Sequence, residues 1–348
     1  MNSNGAELDY LRDDLSSCKL CSWECGVNRM EGERGVCGIT LPGVARSQLH
    51  PAPPASFDAF LTGCSFRCLS CQNWPIANYP ANTFYDDIEG YYDPREWAKL
   101  ALDALNSDAG RQMGADRLFF TGGEPTCSLP WCEEVVKAAR EIDGTMKVNY
   151  DTNGYMPEDI FRRVLSISTS ITYDIKAYDP KLFNAMTGAD IEAVLKNAEY
   201  IANHAKEKLW EFRILVIPHV NEQDIEGICR FIAELDPKLP VNFLAFRPNF
   251  VMIDHPWTKS SLMKNCVETA EAAGLENVSW NGQTYDTKGR LSSELYEYAK
   301  QLPLPDNTAL AIAYAHSKGC ISTSLRVCGL CEAMDECKVK RFNTIKLH

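Results

Sequence analysis

The chain has no apolar run approaching the length of a membrane-spanning helix. Residues 1–17 are polar and acidic, without the apolar core of a secretory signal or the basic character of a transit peptide. No strong run of Lys or Arg is present, and the formal net charge is −12, which argues against an extended nucleic-acid interface. No His or Ser constellation suited to acid–base or nucleophilic catalysis stands out. These absences leave a soluble cytoplasmic protein with no membrane role as the expectation. Cysteine, in contrast, is plentiful. Fifteen cysteines in a chain without an export signal point to metal sites in a reducing compartment, not to a disulfide framework. With 348 residues and 45% hydrophobic content, the chain can bury a large core.

The cysteines fall into three groups. The densest is Gly63-Cys64-Ser65-Phe66-Arg67-Cys68-Leu69-Ser70-Cys71-Gln72-Asn73-Trp74, with three and then two residues between cysteines and no fourth within reach. A [4Fe–4S] cluster usually takes four thiolates, so three in one tight loop leave one iron open to an exogenous ligand. A zinc knuckle or disulfide cluster also accommodates that spacing. The next signal downstream favours the cluster. The apolar run Arg117-Leu118-Phe119-Phe120 reads as a buried strand and ends in Thr121-Gly122-Gly123-Glu124-Pro125. Two glycines at a strand end let a ligand approach the backbone, because no Cβ intervenes.

Strand and helix signals alternate through the middle of the chain. Strands are expected over 57–62, 117–121, 147–151, 170–175, 212–217 and 241–246. Helices are expected over 94–105, 129–141, 157–164, 191–205 and 221–235. Repeated strand–helix units imply a parallel sheet, with ligands at the carboxyl ends of the strands. Cys64, Gly122, Asp151 and Asp174 all fall at such ends.

Taken together, the three-cysteine loop and the Gly-Gly-Glu-Pro segment resemble the radical S-adenosylmethionine (SAM) superfamily. Asp151-Thr152-Asn153-Gly154, Tyr173-Asp174-Ile175-Lys176, Met186-Thr187-Gly188, Arg213-Ile214-Leu215-Val216-Ile217-Pro218 and the Asn73 that follows Cys71 extend the likeness to the pyruvate formate-lyase activating enzyme group. The resemblance covers roughly residues 57–248. It implies an α/β fold, a partial (β/α)6 TIM-like barrel, with small cysteine-rich metal-binding segments at both ends. The expected organisation is a metal-binding segment over 1–50, the barrel over 51–275 and a C-terminal extension over 276–348.

By that resemblance, Cys64, Cys68 and Cys71 hold the cluster, and SAM chelates its open iron. Gly122, Gly123 and Glu124 hold the SAM amino group, with Asn73 and Asn153 in the same set. Asp151 and Asp174 lie near SAM, with a monovalent cation as a further expectation, and Lys176 pairs with the SAM carboxylate. SAM carries a sulfonium, an ammonium and a carboxylate, which suits opposite charges placed around it. Read without the resemblance, Asp174 and Lys176 form a strand-end ion pair and Asp151 a turn. Arg213 and Phe246 stand at the ends of the fifth and sixth strands, with Phe246 a candidate adenine contact or a core aromatic. Two departures are Ser70, where relatives carry an apolar residue, and His219, where they often carry Gly.

The chain ends carry separate cysteine sets. Cys18, Cys21, Cys25 and Cys37, with Gly32, Gly35 and Gly38, suit zinc, mononuclear iron or a second [4Fe–4S] cluster. Cys320, Cys328, Cys331 and Cys337 resemble the core of SPASM-type auxiliary modules, which implies an auxiliary [4Fe–4S] cluster. Of the remaining four, Cys132, Cys229 and Cys266 fall in helical patterns as packing residues. Cys127 lies two residues past Pro125 and is either a packing residue or a candidate hydrogen-atom donor or cluster ligand; Lys176 is the other catalytic candidate.

The implied activity is oxidoreductase-type and anaerobic. An electron from a donor such as ferredoxin or flavodoxin enters the cluster, SAM is cleaved to a 5′-deoxyadenosyl radical, and the radical abstracts hydrogen from the substrate. That substrate is a protein, a peptide or a small precursor molecule. The alternative is activation of a glycyl radical enzyme.

Overall fold

The computed structural model describes residues 8–77, 88–286, 289, 291–320, 326, 328–331 and 337. The expected end segments, 1–50 and 276–348, extend beyond the described residues. The chain divides into two compact units, one built from 1–65 and 73–172, the other from 66–72 and 173–348.

In the first unit, β1 (Val44–His50) pairs antiparallel with β2 (Ser56–Leu61), which pairs parallel with β3 (Arg117–Gly122), itself parallel to β4 (Lys147–Thr152). Around these strands lie α1 (Asp9–Leu15), α2 (Trp74–Ala77), α3 (Pro94–Leu105), α4 (Asp108–Met113), α5 (Leu129–Ile142) and α6 (Glu158–Ile167). Asp93 starts α3 by accepting from the amides of Arg95 and Glu96, with Pro94 at the first helical position, where a missing N–H costs nothing. Buried aromatics join strands to helices: Trp97 of α3 stands 5.6 Å from Phe57 and 5.5 Å from Trp131 of α5, and Phe120 packs on Tyr150 at 6.0 Å. Arg163 of α6 bonds Asp14 of α1 at 2.7 Å and Glu133 of α5 at 2.6 Å, fastening the N-terminal helix.

The second unit contains β6 (Leu209–Val216), β7 (Val241–Ala245) and β8 (Val278–Asn281), paired parallel in that order. β5 (Ser170–Asp174) spans the point where the chain passes from one unit to the other. The helices are α7 (Pro180–Thr187), α8 (Glu192–His204), α9 (Ile225–Leu235), α10 (Ser260–Ala272), α11 (Ser293–Ala299) and α12 (Asp306–Ser317). Among the described residues no helix is long and apolar enough to cross a membrane.

The fold is α/β and rich in parallel strands, and all six expected strands are present. β1 and β8 lie outside the expectation, as do α1, α2, α4, α7, α10, α11 and α12. Cys132, Cys229 and Cys266 are buried in α5, α9 and α10, as the helical pattern implied.

His255 is fully buried between two polar atoms. Its Nε2 lies 2.7 Å from the Pro218 carbonyl, which can only accept, so Nε2 carries the hydrogen. Nδ1, 2.7 Å from the Tyr314 hydroxyl, is then the acceptor. Burial pushes this imidazole down from 6.5 to about 4, with the Pro218 carbonyl pulling the other way. The unfolded chain therefore binds more protons than the native one below pH 6.5, and stability is lost as pH falls from 6.5 towards 4. The expected contribution is about 3 kcal/mol. Buried Asp58 and Glu124 act in the opposite sense, so the contrast with His255→Gln isolates the effect. Denaturant titrations at pH 7 and pH 4.5 should show a smaller acid loss in the variant, and equal losses would remove His255 as the cause.

Candidate active site

The first unit gathers the ends of β2, β3 and β4. Gly122 has φ +106°, and a Cβ there would stand 2.4 Å from the Leu61 amide nitrogen. At Gly123 a Cβ would stand 1.8 Å from the Gly63 carbonyl oxygen. Only glycine lets the β3 end lie this close to the residue that precedes Cys64. The contact is closed by two hydrogen bonds, Gly123 N–H to Leu61 O at 2.8 Å and Glu124 N–H to Gly63 O at 2.9 Å. Asn73 holds the other side, its Nδ2 donating to the Gly122 carbonyl at 2.7 Å.

Glu124 is 1% exposed, and its carboxylate turns inward. Oε1 accepts from Thr126 Oγ1 at 2.6 Å, Thr152 Oγ1 at 2.9 Å and the Thr126 amide at 3.2 Å, while Oε2 accepts from the Asn153 amide at 2.8 Å. Burial raises its pKa to about 7, against the pull of these donors. Glu124 thus fastens the end of β4 to the end of β3, and its side chain is already committed to that task. Asn153 donates from Nδ2 to Ser65 Oγ at 3.1 Å and to Cys64 Sγ at 3.9 Å. Asp151 accepts from Thr121 Oγ1 at 2.8 Å. Asp58 on β2 is buried and pushed up to about 7 by burial, eased by Ser56 and pushed further by Asp151.

In the second unit, the carboxylate of Asp174 at the end of β5 holds two cations. Lys176 Nζ is 2.6 Å from Oδ2, and Arg213 Nε is 2.7 Å from Oδ1. Burial alone would raise Asp174, but Arg213 and Lys176 outweigh it and hold the carboxyl well below its usual range. Lys176 retains donor hydrogens beyond the one given to Asp174. The Cys68 thiol lies in the same charged neighbourhood: burial raises it, and Lys176, Arg326 and Arg67 pull it down. Phe246 is fully buried, its ring 5.6 Å from that of His255, so it takes its place in the core. His219 adopts φ +62°, a left-handed backbone that glycine enters without steric cost. Its side chain is 57% exposed and stands 3.7 Å from Glu222.

The end of α7 explains how Cys328 reaches this neighbourhood. A helix leaves its last carbonyls unpaired. Here Thr187 O accepts from the Arg67 amide at 2.7 Å and Met186 O from the Leu69 amide at 3.1 Å. Gly188 O accepts from the Cys328 amide at 2.9 Å. The Arg326 guanidinium, 2% exposed, donates to Ala185 O at 2.8 Å, to Arg67 O, and to Cys328 Sγ at 3.9 Å. Cys320, Cys331 and Cys337 are half-buried. Sequence reasoning missed Arg326 because its role depends on burial, which a lone arginine in a polar stretch does not announce.

Trp23 and Arg29 were missed as well, although both lie between cysteines of the N-terminal set. Trp23 Nε1 donates to Ser65 O at 2.8 Å, and Arg29 Nη1 to Cys127 O at 2.8 Å. Cys127 is buried and packs on Cys37 and Ile39. In the first unit, glycine-only packing at the end of β3 lies against the residue that precedes Cys64; in the second, Cys68 stands in the electrostatic surroundings of Asp174 and Lys176.

The family model of the Radical SAM superfamily matches residues 59–232, half of the chain. An uncharacterized protein of Methanocaldococcus jannaschii is 25% identical over 296 residues, covering 78% of this chain and 82% of its own length. The GTP 3′,8-cyclase of Haemophilus influenzae is 30% identical over 176 residues, which span 49% of this chain and 47% of the cyclase. Among solved structures, Streptococcus suis SuiB bound to S-adenosylmethionine aligns with TM-score 0.47 and 16% identity, over 63% of this chain and 48% of SuiB. The chain belongs to the radical SAM superfamily, enzymes that carry out radical chemistry with S-adenosylmethionine and a [4Fe–4S] cluster.

Proposed function

We propose that Cys64, Cys68 and Cys71 hold the [4Fe–4S] cluster and that the strand ends bind SAM for hydrogen abstraction from a protein, peptide or small precursor substrate. When bound and reduced, the cluster supplies one electron that breaks the S–C5′ bond of SAM. The chain's own residues bind, orient and exclude water. Gly122 and Gly123 offer backbone to the SAM amino group. Glu124 does not reach the ligand in this reading; it fixes Thr152 and Asn153 in place. Asn153 donates towards the Cys64 sulfur, which stabilises a thiolate there. Asp174 balances Lys176 and Arg213, and the remaining donors of Lys176 are offered to the SAM carboxylate. An external low-potential electron donor completes the system.

The observation that carries this reading is the packing of Gly123 against Gly63, which brings the end of β3 beside the residue preceding Cys64, the first of the proposed cluster cysteines. The choice of a peptide or small precursor over a glycyl radical enzyme is supported by the docking of Arg326 and Cys328 on the end of α7. There Arg326, two residues before Cys328 of the cysteine set proposed to hold an auxiliary cluster, donates to Arg67 O. The test is anaerobic reconstitution followed by SAM and dithionite. The expected outcome is 5′-deoxyadenosine and methionine in equal amounts, with a SAM-dependent change in the EPR signal of the reduced cluster. Neither product nor spectral change from a reducible cluster would sink the reading.

A further inference from the structure

Residues 18–27 form a loop that is closed at its base. The Cys18 amide donates to Val27 O at 3.0 Å and the Gly26 amide to Cys18 O at 2.9 Å, while the Glu24 amide turns back to Cys21 O at 2.9 Å. Trp23 stands at the tip of this loop, half-buried.

Its indole touches two strand-end loops of the first unit. Nε1 donates to the carbonyl of Ser65, the residue after Cys64, at 2.8 Å. The ring meets that of Tyr155 edge-on with centroids 5.5 Å apart, and the neighbouring Ser22 amide donates to Tyr155 O at 3.3 Å. Tyr155 lies just past the end of β4, and its own amide donates to Asn153 Oδ1 at 2.9 Å. An N–H can only donate, so the Asn153 atom facing it is the oxygen, and Nδ2 turns the other way. There Nδ2 donates to Ser65 Oγ at 3.1 Å. The contacts close a ring that runs from Trp23 to Ser65, Asn153, Tyr155 and back to Trp23. Arg29, 1% exposed, fastens the same N-terminal segment a third time. Its Nη1 donates to Cys127 O at 2.8 Å and Cys18 Sγ at 3.6 Å, and its Nε to Thr40 O at 2.7 Å.

The ring is dry apart from Trp23. Ser65 and Tyr155 are each 1% exposed and Asn153 is 7% exposed. A buried carbonyl that loses its donor finds little water to replace it, so the backbone must shift to satisfy it. A phenyl ring in place of the indole keeps an aromatic face for Tyr155 but has no hydrogen to donate. The Ser65 carbonyl thus takes its position from a residue 42 places away in the chain.

We infer that Trp23 is a positioning residue for the candidate active site, its indole N–H fixing the Ser65 carbonyl so that the start of the Cys64 loop and the Asn153–Tyr155 loop are held as one piece. The inference rests on the proposed roles of Cys64 and of Asn153, which donates to the Cys64 sulfur at 3.9 Å. Loops held in place before a ligand arrives lower the ordering cost of binding it.

The test compares Trp23→Phe with the parent and with Trp97→Phe, each as the full chain. Trp97 is the control because its Nε1 donates to Ser47 Oγ, in the middle of β1, at 2.9 Å. The first readout is hydrogen–deuterium exchange without SAM. Peptides covering 63–65 and 153–155 are expected to exchange about tenfold faster in Trp23→Phe and at the parental rate in Trp97→Phe. The second follows anaerobic reconstitution, with SAM titrated against the EPR signal of the reduced cluster. The half-saturating SAM concentration is expected to rise about tenfold in Trp23→Phe and to stay unchanged in Trp97→Phe. Parental exchange in Trp23→Phe overturns the inference, and so does a parental half-saturation point. Equal shifts in the two variants overturn it as well, because they report lost packing alone. A parent chain whose signal ignores SAM counts against the proposed function instead; the exchange readout needs neither cluster nor SAM and then decides for Trp23 by itself.

Discussion

Replacing Cys64, Cys68 and Cys71 together with Ala should abolish 5′-deoxyadenosine formation and remove about four irons per chain. The effect is large because, in the proposed arrangement, each cysteine supplies the sole protein ligand to one iron, and removing all three leaves that cluster without a protein thiolate. The fold should survive. Cys64 is buried with only 9% exposure, and its Sγ accepts a long hydrogen bond from Asn153 Nδ2 at 3.9 Å. Cys68 and Cys71 are partly exposed. A cysteine thiol behaves in packing as a small hydrophobe, so Ala leaves a small cavity that costs about 1 kcal/mol. Circular dichroism and thermal unfolding should therefore stay close to those of the parent, while the SAM-dependent EPR change disappears. Persistence of SAM cleavage in the triple variant would falsify the assignment of these cysteines.

Gly123→Ala should destabilise the chain by about 2–4 kcal/mol and weaken SAM binding at the same time. The added methyl would meet the Gly63 carbonyl oxygen at 1.8 Å, well inside contact distance, and that atom is backbone. Relief requires the end of β3 to move away from β2. Such movement stretches the Glu124 N–H bond to Gly63 O and draws the Glu124 carboxylate off Thr152 and Asn153. Gly144→Ala is the matched control, because a Cβ there meets nothing closer than Arg140 O at 4.0 Å, and its stability should be unchanged or slightly higher. Denaturant unfolding of the two variants compares them directly. Equal midpoints would mean that the two strand ends are not held as closely as the geometry requires.

What the sequence determined by itself is the chemistry that is local along the chain. Three cysteines in eight residues remain together however the rest folds. The strands over 117–121, 147–151 and 170–175 declare themselves by alternating with helical patterns, and their ends fix where Gly122, Asp151 and Asp174 fall. β1 stayed hidden because its segment, Val-Ala-Arg-Ser-Gln-Leu-His, is half polar and pairs antiparallel with β2. α1 read as a polar tail because Arg163, more than a hundred residues away, supplies the charge that holds it.

Only the tertiary structure decided which polar groups are buried and what they face. Glu124 read as a ligand-binding residue, yet four protein donors occupy its carboxylate. Phe246 had two readings, and packing against His255 selected the core. Arg29 and Arg326 carry ordinary charges in the sequence; burial beside sulfur gives each its role. Long-range burial sets the cost of a charge, and with it the partner that the charge must find. That cost depends on residues brought together from distant parts of the chain, so no local pattern can report it.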